Sequence, residues 1–166
     1  MKRRIPALIG LAAALLYPNT SPQAADVIEY AVVIDGDTLL IRTVSIGLVG
    51  IDAPEPGQKC MGPGNIEWAC GLDAKHVLEE KIGDGPVTCR RLYSDFHERV
   101  FATCAASDGD DLSAAMVRSG YALADGRDSR YLAEEIAARL AGKGMWSGSF
   151  QTPWEWRSQQ LDVEAE

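Results

Sequence analysis

Two acidic clusters, Asp35-Gly36-Asp37 and Asp52-Ala53-Pro54-Glu55, bound the apolar, β-rich stretch IDGDTLLIRTVSIGLVGIDAPE at residues 34–55. Carboxylates grouped this way have two common uses. They hold a hard cation such as calcium or magnesium, which takes oxygen ligands, or they shape turns beside glycine and proline. Which use applies depends on whether the clusters meet. The segments 27–34 and 38–51 are rich in β-branched residues, and the second is long enough for two strands with a tight hairpin near Arg42-Thr43. Asp37 then stands where the first strand gives way to the second, and Asp52 and Glu55 stand just after the third. In an antiparallel run, the start of strand two and the end of strand three share one end of the sheet. Topology therefore brings the carboxylates together.

The elements that must position them follow along the chain. Between Ala69 and Ile82 the apolar residues Ala74, Val77, Leu78 and Ile82 fall on one helical face, and Gly83-Asp84-Gly85-Pro86 ends that helix. Strands are expected at 87–93 and 99–105, joined by the polar SDFHE. Asp110 or Asp111 can cap a short helix that Gly120 stops. A last helix is expected from about Ser129 to Ala141, with Leu132, Ala133, Ile136, Ala137 and Leu140 as its apolar stripe. The order β-β-β-α-β-β-α-α fits an α+β fold, a small five-stranded barrel with three helices packed on it.

The chain opens with Lys2-Arg3-Arg4, a short apolar run from Ile5 to Leu16, and small residues at Ala24-Ala25. That is the plan of a secretory signal peptide over residues 1–25, too short for a permanent membrane span. The expected organisation is a signal peptide, one domain at 26–157 and a frayed acidic tail at 158–166. Removal of the signal leaves 13 Lys and Arg against 24 Asp and Glu, a net charge of −11. Such a surface repels phosphate backbones at long range and argues against broad nucleic-acid binding. A small site whose local field is set by a cation and an arginine is still compatible with it.

Cys60, Cys70, Cys89 and Cys104 all lie in the exported part, and none forms a C-x-x-C. An even count in an oxidising compartment reads as two disulfides with three pairings open. Local pairing, 60–70 and 89–104, is the simplest. His76 reads as a helix-surface residue and His97 as a loop histidine.

The motif DGDT, the fifteen-residue step from Asp37 to Asp52, and GIDAPE together resemble the staphylococcal nuclease (thermonuclease) family. The likeness continues through CGLDAKHVLEEKI, VTCRRLYSDFHERVFATC, DLSAAMVRSGYAL and YLAEEIAARLAGKGMWSGSFQTPWEWR, covering roughly residues 31–157. The cysteine pattern is similar to that of secreted proteobacterial members. The resemblance implies an OB-type barrel and calcium-dependent hydrolysis of phosphodiesters in DNA and RNA. It makes Asp37, Asp52 and the Ala53 backbone carbonyl the calcium ligands, and Glu55 the group that orients or deprotonates the attacking water. Arg99 becomes one of two arginines that clamp the phosphoryl oxygens. It also favours packing, over ligand stacking, for Trp146, Trp154 and Trp156.

The chain departs from that pattern at the other arginine. Its position, five residues before Asp52, is Gly47, and no residue from Thr43 to Ile51 is basic. Arg42 is nearest but belongs at the hairpin tip. Loss of one preorganised charge donor costs about 10² to 10⁵ in rate. His97-Glu98 replaces the family's tyrosine and glycine, and Asp125 and Asp128 lie where tyrosines usually meet the substrate. Two classes of function follow. One is a secreted or periplasmic calcium-dependent nuclease of impaired activity, a monomer acting on single-stranded nucleic acid. The other is a non-catalytic barrel of the cell envelope that binds a protein or saccharide partner, linked to exopolysaccharide (succinoglycan) biosynthesis as the names of some relatives suggest. Neither class requires stable membrane insertion after processing.

Overall fold

The computed structural model describes residues 26–96, 99–126 and 129–164. The expected signal peptide at 1–25, together with His97, Glu98 and Asp128, lies outside the described residues. Strand β1 (Val27–Glu29) and β2 (Val32–Val33) are two halves of the first expected strand, broken at Tyr30-Ala31. Strands β3 (Thr38–Ile41) and β4 (Val44–Leu48) form the expected hairpin, with Arg42 at φ 57° in its two-residue turn. A positive φ at that point matches the right-handed twist of the paired strands. Short β5 (Ile51–Asp52) follows, then the ribbon β6 (Cys60–Met61) and β7 (Glu67–Trp68), helix α1 (Cys70–Ile82), and the long pair β8 (Val87–Ser94) and β9 (Val100–Ala105).

The main sheet runs β1-β8-β9-β4-β3-β2. Its two edges, β1 and β2, are neighbours in the chain, so the sheet must curl on itself. Counting β1 and β2 as one bent strand gives the five-stranded barrel expected from the sequence. The pairing of β4 with β9 is parallel, and it puts Gly47 opposite Phe101. The core is filled from both sides: Leu39, Ile41, Ile46 and Leu48 from the hairpin meet Ala74, Leu78 and Ile82 of α1.

Helix α2 (Leu112–Ser119) starts where the Asp111 side chain accepts from the Ala114 amide, and stops at Gly120 in the left-handed region (φ 79°). After β10 (Leu123–Ala124), which pairs with β5, comes α3 (Leu132–Leu140). Its expected apolar stripe does not face the core. Leu132, Ile136 and Leu140 are 48%, 51% and 84% exposed, and Ala138 on another face is the buried residue. Polar contacts at its start orient this helix. Buried Tyr131 donates to Asp111 Oδ2 (2.9 Å), and Glu135 accepts from the Ala124 amide (2.7 Å). Periodicity identifies an apolar face but not the neighbour available to cover it.

A fourth helix, α4 (Pro153–Glu164), not expected from the sequence, runs from the end of the expected domain into the residues expected as an acidic tail. Its start carries one half of a capping box: the Thr152 amide and hydroxyl both donate to Glu155 Oε2 (3.1 and 2.6 Å), with Pro153 in the first helical position. Among the described residues no helix is long and apolar enough to cross a membrane.

Both disulfides take the local pairing, Cys60–Cys70 and Cys89–Cys104, and no cysteine is free. Cys89 and Cys104 are direct register partners in the β8–β9 ladder. Replacing both by alanine is expected to cost about 2–4 kcal/mol by releasing the unfolded chain, read as a lower urea midpoint with an unchanged or steeper slope.

Candidate active site

The two acidic clusters meet. The Ala53 amide donates to Asp37 Oδ2 (2.8 Å), tying the second cluster directly to a carboxylate of the first. The Thr38 hydroxyl donates to Asp37 Oδ1 (3.0 Å), and the Leu48 amide to the Asp37 carbonyl (2.7 Å). Gly36 makes this closeness possible: a β-carbon there would stand 2.7 Å from Ala53 Cβ and 2.8 Å from Ala74 Cβ. Burial of the Asp37 carboxyl is the largest cause that pushes its pKa up to about 8, with the negative charges of Asp35 and Asp52 adding to it. The Ala53 and Thr38 hydrogen bonds pull the other way without reversing it.

Glu55 is placed by buried Gln58. The Gln58 side-chain oxygen accepts from the Glu55 amide (3.3 Å), and its amide group donates to the Gln151 carbonyl (2.7 Å). One fully buried side chain thus holds the Glu55 loop against the entry to α4. Sequence reading did not single out Gln58, because nothing local distinguishes it from a surface glutamine.

These groups open into one cavity of about 680 Å³. Asp35, Asp37, Asp52, Glu55 and Asp125 line it, with Gly47, Tyr93, Phe101, Trp154, Arg99 and Arg157. Arg99 is fixed by Asp95, which accepts from its backbone amide (2.9 Å) and from Nε (2.6 Å). Its guanidinium also lies 5.5 Å from the centre of the Phe101 ring, a cation–π contact. Tyr93 stacks on the same Phe101 ring, with ring centres 5.0 Å apart. Gly47 lies beneath the ring, and a β-carbon there would approach Phe101 to 2.7 Å. Glycine in mid-strand here marks the close approach of an aromatic ring. Arg42 does not enter the cavity; it pairs with Glu29 (2.6 Å). His76 is exposed on α1. Trp146 packs edge-on against Phe150, whereas Trp154 is half exposed at the cavity wall.

Arg157 was not anticipated. Its Nη1 donates to Asp52 Oδ1 (2.9 Å) and Glu55 Oε1 (2.7 Å), and its Nη2 to Asp52 Oδ2 (2.8 Å). The Asp52 hydrogen bonds raise its pKa further above the ordinary guanidinium range, against partial desolvation. The available signal was the capping sequence TPWE, which starts a helix and sets Arg157 one turn into it.

Among the described residues no group of three His, Cys, Asp or Glu is arranged to hold a metal ion unaided. The donor chemistry nevertheless fits a hard cation. Asp37 and Asp52 are carboxylates tied to one another through the Ala53 amide, and a guanidinium already draws Asp52 and Glu55 to a single positive group.

The staphylococcal nuclease homologue family model matches residues 45–148. The chain belongs to the staphylococcal nuclease family. Its domain is therefore a nuclease-family OB-fold, which agrees with the curled sheet. The chain is 31% identical over 137 residues to the succinoglycan biosynthesis protein ExoI of Rhizobium meliloti (strain 1021), covering 81% of this chain and 72% of that one. It is 30% identical over 176 residues to the micrococcal nuclease of Shigella flexneri, covering 95% of each. The family match includes Gly47, Asp52, Glu55 and Arg99 and ends before α4.

Proposed function

We propose that this nuclease-family protein is an exported calcium-dependent phosphodiesterase that cleaves single-stranded nucleic acid. The observation that carries the reading is the bond from the Ala53 amide to Asp37 Oδ2, which joins both acidic clusters at a cavity that Arg99 also lines. Asp37, Asp52 and the Ala53 carbonyl are the residues to hold calcium, which supplies positive charge against the phosphate. Glu55 takes a proton from the attacking water, a role that requires hydrogen-bond reach of that proton. Arg99, braced by Asp95 and Phe101, holds phosphoryl oxygens as charge builds on them. Two disulfides suit an oxidising compartment, so the periplasm or the exterior is the place of action, as a monomer.

A non-catalytic envelope module is the second reading. The relative named for succinoglycan biosynthesis favours it, as do the five carboxylates of the cavity and the exposed aromatics Tyr93 and Trp154, which suit sugar rings.

A time course of single-stranded DNA cleavage, with calcium and with chelator, separates the two. Calcium-dependent cleavage is expected, falling by about 10² to 10⁴ in Glu55→Gln while calcium still binds. No cleavage above that variant would retire the nuclease reading in favour of the binding module.

A further inference from the structure

We infer that Arg157, presented by the C-terminal helix, is the second phosphate-contacting guanidinium of this site and stands in for the arginine missing at position 47. This deepens the nuclease reading and rests on it. Position 47 has no side chain, and the ring of Phe101 fills the space that one would need. The loss is not made good nearby, since no residue from Thr43 to Ile51 is basic. A cavity lined by five carboxylates needs fixed positive charge if a phosphodiester is to enter and gain negative charge there. Among the described residues, its lining holds two guanidinium groups, Arg99 and Arg157.

Arg157 has the placement such a group requires. It sits one turn into a helix whose entry is fixed twice, by the Thr152–Glu155 hydrogen bonds and by buried Gln58 on the Gln151 carbonyl. A charge carried by a rigid element is positioned more precisely than one on a loop. Its Nη1 touches Glu55, the proposed base, and both of its terminal nitrogens touch Asp52, a proposed calcium ligand. A guanidinium has more N–H donors than these three bonds use, so phosphoryl oxygens can be bound without giving up Glu55.

Asp52 is the shared partner, and it makes the inference testable by two readouts of opposite sign. Guanidinium and divalent cation draw on the same carboxylate, so Arg157 opposes calcium binding while it assists turnover. A purely structural residue would weaken both when removed.

The test compares the full chain with Arg157→Gln and Arg157→Lys. It reads kcat and KM on single-stranded DNA, calcium affinity by titration calorimetry, and Tm. In Arg157→Gln, kcat is expected to fall about 10² to 10³, while calcium binds several-fold tighter. Arg157→Lys should fall between, because lysine keeps the charge without the planar fork. Tighter calcium with unchanged or raised kcat would overturn the inference and make Arg157 a lock on the site. Weaker calcium and lower kcat together with a lower Tm would overturn it in favour of a structural role. If wild type does not cleave at all, the nuclease reading falls. Calcium-dependent oligonucleotide affinity then decides the inference separately. About a tenfold or greater weakening in Arg157→Gln would support phosphate contact, and no change would exclude it.

Discussion

Replacing Asp37 with asparagine is expected to make the calcium-free protein more stable at pH 8 while abolishing its response to calcium. The carboxyl of Asp37 has its pKa pushed up from 3.8 to about 8, chiefly by burial and then by the charges of Asp35 and Asp52. A group whose folded pKa lies above its unfolded value favours folding when protonated. Its contribution is complete below about pH 4 and is lost as pH rises through about 8. Above that, the ionised carboxylate is a stability cost that only a cation relieves. Asparagine removes the charge and keeps the shape. Its side-chain oxygen can still accept from the Ala53 amide, and its amide can turn to the Thr38 hydroxyl. The gain at pH 8 should be a few kcal/mol, with about 5 kcal/mol as the ceiling that a shift of this size allows. Thermal unfolding across pH, with chelator and with calcium, checks this. Wild-type stability should decline from pH 4 to 8 and recover on adding calcium, whereas the variant should be nearly flat in both. A wild type without that decline would show that Asp37 ionises as freely as a surface residue.

Gly47→Arg is expected to give no gain in hydrolysis, although it supplies the arginine that the family resemblance implies there. The β-carbon alone would press on the Phe101 ring at 2.7 Å, and that ring supports the guanidinium of Arg99. Overpacking of this kind costs about 1–3 kcal/mol, and displacing the ring would loosen the arginine already present. Space has to be made first. In an Arg157→Gln background, Gly47→Arg combined with Phe101→Ala should exceed Phe101→Ala alone by about tenfold or more, the ring's support of Arg99 being lost in both, whereas Gly47→Arg alone should recover none. Equal recovery by both variants would mean that Phe101 yields easily and is not the obstacle. The assay is kcat on single-stranded DNA beside a urea titration of each variant.

What could be read in the chain was local. Hairpin β3–β4, the capped helix α2 and the cysteine pairing each depend on residues no more than 15 positions apart in the chain. The meeting of Asp37 with the Asp52–Glu55 cluster was legible for a related reason, since adjacent antiparallel strands must return to the same end of the sheet. The stripe of α3 shows where that logic stops. Its spacing marks a helix, but Tyr131 and Glu135 orient it through hydrogen bonds to Asp111 and Ala124, and Leu132, Ile136 and Leu140 face solvent.

The sequence alone determined the family, the barrel and the acidic mouth, because each rests on residue types and short spacings. The resemblance to the family also implies an arginine where this chain has Gly47. Only the tertiary structure decided what surrounds that place: Phe101 beside it through a parallel strand pairing, and Arg157 of α4 on the wall of the same cavity. Arg157 reaches Asp52 and Glu55 from 105 and 102 residues away. A contact over that distance is set by how the last helix docks through Gln58, and no local pattern of residues encodes it.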